Sequence, residues 1–510
     1  MTAPGRMVPR ALRRVRALVA TVAALAAALP TTAAAQSPGA PFDLYATPAS
    51  LTARRAAVNR LQSAVQAAMK RVGGHSTWGV LVVSLSFGDT LVSSNADVML
   101  APASTMKLFT SALALDRFGP DGRFETQVLY SGTINGGVLD GDLILRGAGD
   151  PSLGGAGWIP EEPAPMERLA RAIAESGITR ITGAVVGDAS AFDDGKVPDG
   201  WARRNLQRKY AARVSALSFN QNRVAVLVRP AGTSAVIAFR PAATGIDVDN
   251  AVRVVRGSRG GSIRVVQDSV RGRLRVSGWI GALSGTRSYT VMVENPELFA
   301  AGALRAALAD AGVVVDGPAA ARAADPDAAP LASLPSPSLD QLVTRMNGQS
   351  NNHFAELLFR NAALSVADRG SAVTANSLLG QFLADKVRAD SSAVFAADGS
   401  GLSTLDRVTP RAMVQLLDYA RRAPWGRVFE QSLPVAGQTE TLARRMRRTA
   451  AMGNLHAKTG TTDVVTSLAG YVTATNGEDL AFSIIYNGDN RWRAQRSIDQ
   501  IGVALAKFSR

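Results

Sequence analysis

Residues 102–107 read Pro-Ala-Ser-Thr-Met-Lys and place a serine and a lysine three positions apart, at Ser104 and Lys107. On a helix that begins at Pro102, these two side chains lie on the same face, one turn apart. Ser104 then lies in the first turn, where unpaired backbone N–H groups favour a developing oxyanion and a neutral lysine. The spacing therefore predicts a serine nucleophile with a lysine as its base.

Lysine is rare in this chain, with only seven lysines among 56 basic residues, so each one is informative. Arginine stays protonated in proteins, whereas the pKa of a lysine falls when its amine is desolvated beside a second cation. Another lysine opens the segment Lys458-Thr459-Gly460-Thr461-Thr462, which precedes an apolar run predicted to be a strand. We expect Lys458 to be that second cation and to help keep Lys107 neutral.

A serine-x-x-lysine pair also arises by chance, and alone it is consistent with a helix N-cap at Ser104 and a solvated helix residue at Lys107. A third segment, Ser350-Asn351-Asn352, lies between the two lysine segments. Three such elements in this order are typical of serine enzymes that react with penicillin. The order of the three elements is therefore more specific than any one of them.

The composition and the N-terminal residues limit the other possible sites and partners. Because the chain has no cysteine and only three histidines, we expect no disulfide, no cofactor and no metal site. Residues 1–35 combine five arginines with an apolar run and Ala33-Ala34-Ala35, which predicts an export signal cleaved after Ala35; an uncleaved anchor is the alternative. Export to the periplasm or cell envelope argues against nucleic acid as the partner of this basic chain and allows at most peripheral membrane association.

Apolar periodicity predicts helices and strands at both ends of the chain, with short strands and many turns between them. We therefore expect an α/β domain formed by residues 36–117 and 336–510, split by a mostly β insertion at residues 118–335. Residues 317–337 are rich in Pro and Ala and are predicted to be a linker.

Between residues 201 and 287, sixteen basic residues accompany three acidic ones, which favours a solvated arginine surface over a polymer-binding patch.

Beyond the three motifs, the sequence resembles the class C low-molecular-mass penicillin-binding proteins, D-alanyl-D-alanine carboxypeptidases and endopeptidases of the S13 peptidase family. The resemblance extends over nearly the whole mature chain and includes four further segments: Gly141–Pro151, Ala216–Asn222, Asp398–Ser403 and Leu433–Gly437. It implies a DD-peptidase/β-lactamase-like transpeptidase domain of the α/β (α+β) class, split by an insertion that forms two further, smaller domains. The implied partners are peptidoglycan peptides that end in D-Ala-D-Ala or carry DD-cross-links, with β-lactams as inhibitors.

The resemblance also assigns a catalytic role to five residues. Ser104 attacks the carbonyl of the D-Ala-D-Ala bond, and Lys107 accepts its proton. Ser350 relays a proton to the leaving amine, and Lys458 balances the charge around Ser350. Asn352 binds both the substrate amide and Lys107.

Substrate binding is assigned, on the same resemblance, to Thr459, Gly460 and Thr461. The two threonines would bind the terminal carboxylate, and the N–H groups of Ser104 and Thr461 would form the oxyanion hole. The chain departs from the family pattern at Thr404, where an arginine is expected, and this leaves the side-chain preference open. A β-lactamase or esterase of the same superfamily is the alternative enzyme, and a noncatalytic envelope-binding protein is a third possibility.

Overall fold

The computed structural model describes residues 48–154, 164–268 and 273–510. The export signal predicted for residues 1–35 therefore lies outside the described residues. Residues Thr52–Arg510 form one compact unit. Within the three described ranges, none of the helices combines the length and the apolar content needed to cross a bilayer.

Helices and strands are distributed along the whole described chain. The helices are α1 (Pro48–Lys70), α2 (Lys107–Phe118), α3 (Pro165–Glu175), α4 (Pro296–Asp310), α5 (Leu339–Gln349), α6 (Asn352–Leu364), α7 (Ala372–Phe382), α8 (Pro410–Arg422), α9 (Gly426–Gln431) and α10 (Arg491–Ala506). The strands are β1 (Ser76–Ser84), β2 (Thr90–Ser94), β3 (Glu125–Asn135), β4 (Val138–Arg146), β5 (Arg180–Ile181), β6 (Val185–Asp188), β7 (Arg223–Ala231), β8 (Ser234–Arg240), β9 (Val248–Val255), β10 (Gly261–Asp268), β11 (Arg273–Gly281), β12 (Arg287–Met292), β13 (Val314–Val315), β14 (Ala319–Ala321), β15 (Ala329–Pro335), β16 (Val394–Phe395), β17 (Arg407–Val408), β18 (His456–Thr461), β19 (Val465–Thr473) and β20 (Asp479–Gly488).

An antiparallel five-stranded sheet, in the order β18-β19-β20-β1-β2, joins early and late segments of the chain. Successive side chains of β1 point to opposite faces of this sheet. Val80 and Val82 pack in a core with α1 and α10, whereas Leu81 packs in a second core with α2, α5, α6 and α8. This arrangement confirms the predicted α/β fold and brings β18 to one edge of the sheet.

The segment between β2 and α5 contains two other sheets with cores of their own. A seven-stranded sheet (β3–β6 and β13–β15) packs with α3 and α4, and a six-stranded sheet has the order β10-β11-β9-β8-β7-β12. The strands β10 and β11 of this sheet pair in the antiparallel direction, with Val265 opposite Val276. The helices α3 and α4 within this mostly β segment were not predicted, although the buried stripe Met166, Leu169 and Ile173 has helical spacing.

The linker predicted at residues 317–337 is wrong. Residues in this range form β14 and β15, and β15 pairs with β3 at the edge of the seven-stranded sheet. Proline lacks the N–H that a sheet ladder needs, but an edge strand has one unpaired side, where Pro330 and Pro335 are accommodated. In this chain, a stretch rich in Pro and Ala therefore forms an edge strand and not a linker.

Candidate active site

Ser104 lies in a single 3₁₀ turn, Ala103–Met106, that leads directly into α2. The α-helix therefore starts five residues after Pro102, later than predicted. In a 3₁₀ turn, side chains three residues apart eclipse each other, which aligns Ser104 with Lys107. Ala103 has a φ of 48°, a left-handed conformation that side-chain-bearing residues rarely adopt and that often occurs at functional sites.

Lys107 is fully buried and its amine meets three oxygen atoms. Its Nζ lies 2.9 Å from the Oγ of Ser104, 2.7 Å from the Oδ1 of Asn352 and 2.6 Å from the carbonyl oxygen of Ser400. The amide and carbonyl oxygens only accept hydrogen bonds, whereas a serine hydroxyl also donates. A neutral amine would therefore donate its two hydrogens to Asn352 and Ser400 and direct its lone pair at the hydroxyl of Ser104.

Burial is the main cause of the altered basicity of both lysines. It lowers the pKa of Lys107 to about 8, against the opposing effect of the nearby carboxyl groups of Asp398, Glu356 and Asp406. Burial, followed by repulsion from Lys107, also holds the pKa of Lys458 well below its usual range. Desolvation therefore lowers the pKa of Lys107 as expected, whereas the help expected from Lys458 is not among the causes of that shift.

The second and third motifs meet through a lysine and a serine. Ser350 ends α5 in the left-handed conformation, with a φ of 54°. Its Oγ accepts a hydrogen bond of 2.8 Å from the Nζ of Lys458, which is fully buried on β18. Lys458 also donates to the carbonyl oxygen of Thr459, at 2.8 Å. The hydroxyl of Ser350 is therefore held in place by the amine of Lys458, an arrangement compatible with a proton relay.

The strand β18 lies directly against the turn that carries the serine. A Cβ atom at Gly460 would lie 2.7 Å from the carbonyl oxygen of Pro102 and 3.0 Å from the backbone nitrogen of Ser104, so a side chain there would force the strand away. Thr461, the last residue of β18, is exposed, whereas the hydroxyl of Thr459 donates to Thr441 at 3.1 Å. Glycine at position 460 thus permits the close approach that an oxyanion hole shared by the turn and the strand needs.

Asn352 links the lysine to the segment between the first two motifs. Its Nδ2 donates to the carbonyl oxygen of Tyr210 at 2.9 Å, while its Oδ1 faces Lys107. The neighbouring Asn351 caps α6 and donates from its Nδ2 to the Oε1 of Gln221 at 3.0 Å. The orientation of the second motif is therefore fixed partly by the insertion.

Asp398 is a residue of the site to which sequence reasoning assigned no role. Its carboxylate accepts hydrogen bonds from the N–H groups of Ser400, Gly401 and Ser403, and from the Nε1 of Trp201 at 2.6 Å. These bonds fold the loop that presents the carbonyl of Ser400 to the lysine. The Asp-Gly-Ser-Gly sequence is typical of a turn in which an aspartate caps the backbone two residues later, and this signal predicts the turn but not its catalytic neighbour.

Two more acids are buried behind the lysine. Glu356 follows Asn352 by one turn of α6, and burial, followed by the charge of Asp398, raises its pKa to about 8. Burial raises the pKa of Asp406 as well. His353, the residue after Asn352, is also buried. Burial lowers the pKa of His353 to about 3, so its ring is neutral and contributes no charge to the site. Protonated acids limit the negative charge that would otherwise hold Lys107 in its protonated form.

The lowered pKa of Lys107 predicts the pH dependence of acylation. Protonated Lys107 has no lone pair for the proton of Ser104, so the rate constant for acylation by a penicillin should rise with pH up to about 8 and then level off. Stopped-flow measurements between about pH 6 and pH 9 test this expectation. A rate constant that is flat across this range would contradict a base with this pKa.

Comparison with known proteins places this geometry in a family. The D-Ala-D-Ala carboxypeptidase 3 (S13) family matches residues 61–508. The chain is a member of the S13 family. Within it, the D-alanyl-D-alanine carboxypeptidase of Actinomadura sp. strain R39 is 33% identical over 454 residues, which covers 84% of this chain and 81% of the relative.

Two solved structures share the S13 fold of this chain. Penicillin binding protein 4 of Haemophilus influenzae has a TM-score of 0.71 and 24% identity, and the match covers 86% of this chain and 98% of that one. The same protein complexed with a β-lactam has a TM-score of 0.66, with the same identity and coverage. The likeness confirms the penicillin-binding-protein fold with its large insertion.

Proposed function

We propose that this protein is a serine DD-peptidase, a D-alanyl-D-alanine carboxypeptidase or DD-endopeptidase that acts through an acyl-enzyme on Ser104. The observation that carries the proposal is the amine of Lys107, which is buried, has a pKa lowered to about 8 and lies 2.9 Å from the serine hydroxyl. Membership of the S13 family and the D-alanyl-D-alanine carboxypeptidase activity named for the Actinomadura relative support the substrate class.

Acylation would use all three motifs. The Oγ of Ser104 attacks the carbonyl carbon between the two D-alanines as its proton passes to Lys107. The N–H groups of Ser104 and Thr461 stabilise the oxyanion of the tetrahedral intermediate. Lys107 passes this proton through the hydroxyl of Ser350, which Lys458 holds at 2.8 Å, to the leaving amine, and is then neutral again. These steps leave an ester on Ser104 and release the terminal D-alanine or, from a cross-link, the peptide that carries the leaving amine.

Deacylation and substrate binding follow from the same geometry. A water molecule that gives a proton to the neutral Lys107 attacks the ester, and Lys107 returns this proton to the Oγ of Ser104 as the peptide leaves with a new carboxyl group. Asn352 binds the substrate amide, and Thr459, Gly460 and Thr461 bind the part of the substrate that carries the terminal carboxylate. A β-lactam forms the same ester by opening its ring, so it inhibits the enzyme as long as the ester persists.

The proposal extends to the organisation of the chain and its location. We assign residues 36–117 and 336–510 to the peptidase domain and residues 118–335 to an insertion of two smaller domains. The five-stranded sheet, which draws its strands from both end segments, supports this division. The substrate is a peptidoglycan peptide that ends in D-Ala-D-Ala or carries a DD-cross-link, and the protein would meet it in the periplasm or cell envelope.

Digestion of purified muropeptides tests the proposed function. We expect mass analysis to show loss of the terminal D-alanine from uncross-linked pentapeptides, separation of cross-linked dimers into monomers, or both. A parallel sample acylated beforehand with penicillin should release none of these products. Unchanged muropeptides combined with rapid, repeated turnover of the chromogenic cephalosporin nitrocefin would instead identify a β-lactamase.

A further inference from the structure

The six-stranded sheet has one apolar and one basic face. Its apolar face buries Val226, Val228, Val252 and Val276 in a core of its own. On the opposite face, each of five neighbouring strands carries one exposed arginine. These residues are Arg229 on β7, Arg240 on β8, Arg253 on β9, Arg264 on β10 and Arg275 on β11. We refer to this surface as the arginine face.

The pairing of the strands places these five side chains on one side of the sheet. Residues directly opposite each other on paired strands share a face. Arg275 lies opposite Asp249 and Val266, Arg253 lies opposite Trp279, and Arg229 lies opposite Val236. These partners are exposed or half-buried, as expected for an outward surface.

The positive charge of the arginine face is scarcely neutralised. The Nε of Arg275 lies 3.8 Å from the Oδ2 of Asp249. Among the described side chains on the strands of this face, Asp249 is the only acidic one. No ion pair or hydrogen bond joins the guanidinium groups of Arg229, Arg240, Arg253 or Arg264 to other described residues. Unpaired like charges on adjacent strands repel each other and create a positive potential that favours an anionic partner.

Apolar side chains lie between these arginines. Val236, Val255 and Val266 point outward from the same face and are 37–47% exposed, and Leu283, in the turn after β11, is 61% exposed. The indole of Trp279 lies half-buried opposite Arg253. Exposed valine and leucine side chains make no favourable contribution to the binding of a soluble polyanion. The boundary between lipid head groups and acyl chains accepts arginine, tryptophan and aliphatic residues together.

We propose that the arginine face docks the protein on an anionic lipid surface. The guanidinium groups would pair with lipid phosphates, and Leu283 and the outward valines would lie at the acyl boundary. The five strands that carry these arginines, spaced about 4.8 Å apart, would give a broad surface on which several head groups bind at once. The arginine face shares no residue with the candidate active site, so the proposal is independent of the peptidase function.

Vesicle co-sedimentation of the full-length mature protein tests the proposal. We expect binding to vesicles that contain phosphatidylglycerol, weakening as salt is added, and little binding to vesicles of phosphatidylcholine alone. Each arginine near an anionic lipid surface contributes about fivefold to binding, so the triple variant Arg253→Gln, Arg264→Gln, Arg275→Gln should bind about 100-fold more weakly. Leu283→Ser should weaken the binding that remains at high salt.

A charge-matched control separates docking from general attraction. Replacing the exposed Arg427, Arg493 and Arg496 by glutamine removes the same charge elsewhere and should leave vesicle binding within about twofold of the original. Equal losses in the two triple variants, or no binding of the unmodified protein to phosphatidylglycerol vesicles, would overturn the proposal. So would binding to soluble polyglutamate with no binding to vesicles. Hydrolysis of a soluble peptide should be unchanged in both variants, and its absence in the unmodified protein would contradict the peptidase function alone.

Discussion

The Ser104→Ala variant is expected to form no covalent adduct with a fluorescent penicillin and to lose peptide hydrolysis by about 10,000-fold or more. Alanine removes the oxygen that would form the ester, while the acceptors of the Lys107 amine, Asn352 and Ser400, stay in place. We therefore expect the variant to fold normally and to lose activity only because the nucleophile is missing. Gel fluorescence after a fixed labelling time, together with the melting temperature, measures both properties.

The matched control for this variant is Ser377→Ala. Ser377 is an exposed serine on α7 whose hydroxyl donates to the carbonyl of Val373 at 3.1 Å, and it belongs to none of the three motifs. It should be labelled as strongly as the unmodified protein. If Ser104→Ala and Ser377→Ala were labelled equally, the proposed nucleophile would be wrong.

The Lys107→Arg variant is expected to be inactive although it keeps the positive charge. Arginine remains protonated in proteins, so its guanidinium has no lone pair for the proton of Ser104. General base catalysis contributes about 100- to 10,000-fold, and acylation should slow by that factor. The measurement is the second-order rate constant for acylation by penicillin, followed across the pH range in which the unmodified protein shows its rise.

Two further variants make the lysine experiment specific. Because the larger guanidinium could disturb a fully buried site, Lys107→Met supplies an uncharged side chain of similar length and should be equally slow. Lys386→Arg changes an exposed lysine paired with Asp116 at 2.7 Å and should react normally. Near-normal acylation by Lys107→Arg, with a folded protein, would remove the lysine from its role as base.

Local spacing predicted the part of the site that depends on neighbours in the sequence. Ser104 and Lys107 lie in one turn, so a spacing of three residues sufficed to bring hydroxyl and amine together. The contact between Lys458 and Ser350 joins segments 108 residues apart, and only the resemblance to a known family indicated it. Spacing rules say nothing about contacts of that kind.

The features that were missed depend on the folded environment. The sequence predicted a neutral Lys107, but not the complete burial that is the main cause of its lowered pKa. The carboxylate of Asp398 is held by Trp201, from a distant segment, as well as by its own loop. The same limitation explains the linker that proved to be an edge strand, since Pro330 is accommodated only because β15 has no neighbour on one side.

The hydrogen bonds from Trp201 to Asp398 and from Asn352 to Tyr210 join the segment between residues 117 and 336 to the candidate site. The five-stranded sheet and its helices would therefore not support that site fully by themselves. A shortened protein that joined residue 117 to residue 336 would keep every motif residue. It would nevertheless lose one donor to the loop beneath the lysine and the acceptor that orients Asn352. Trimming experiments should therefore keep this segment together with the candidate site that it contacts.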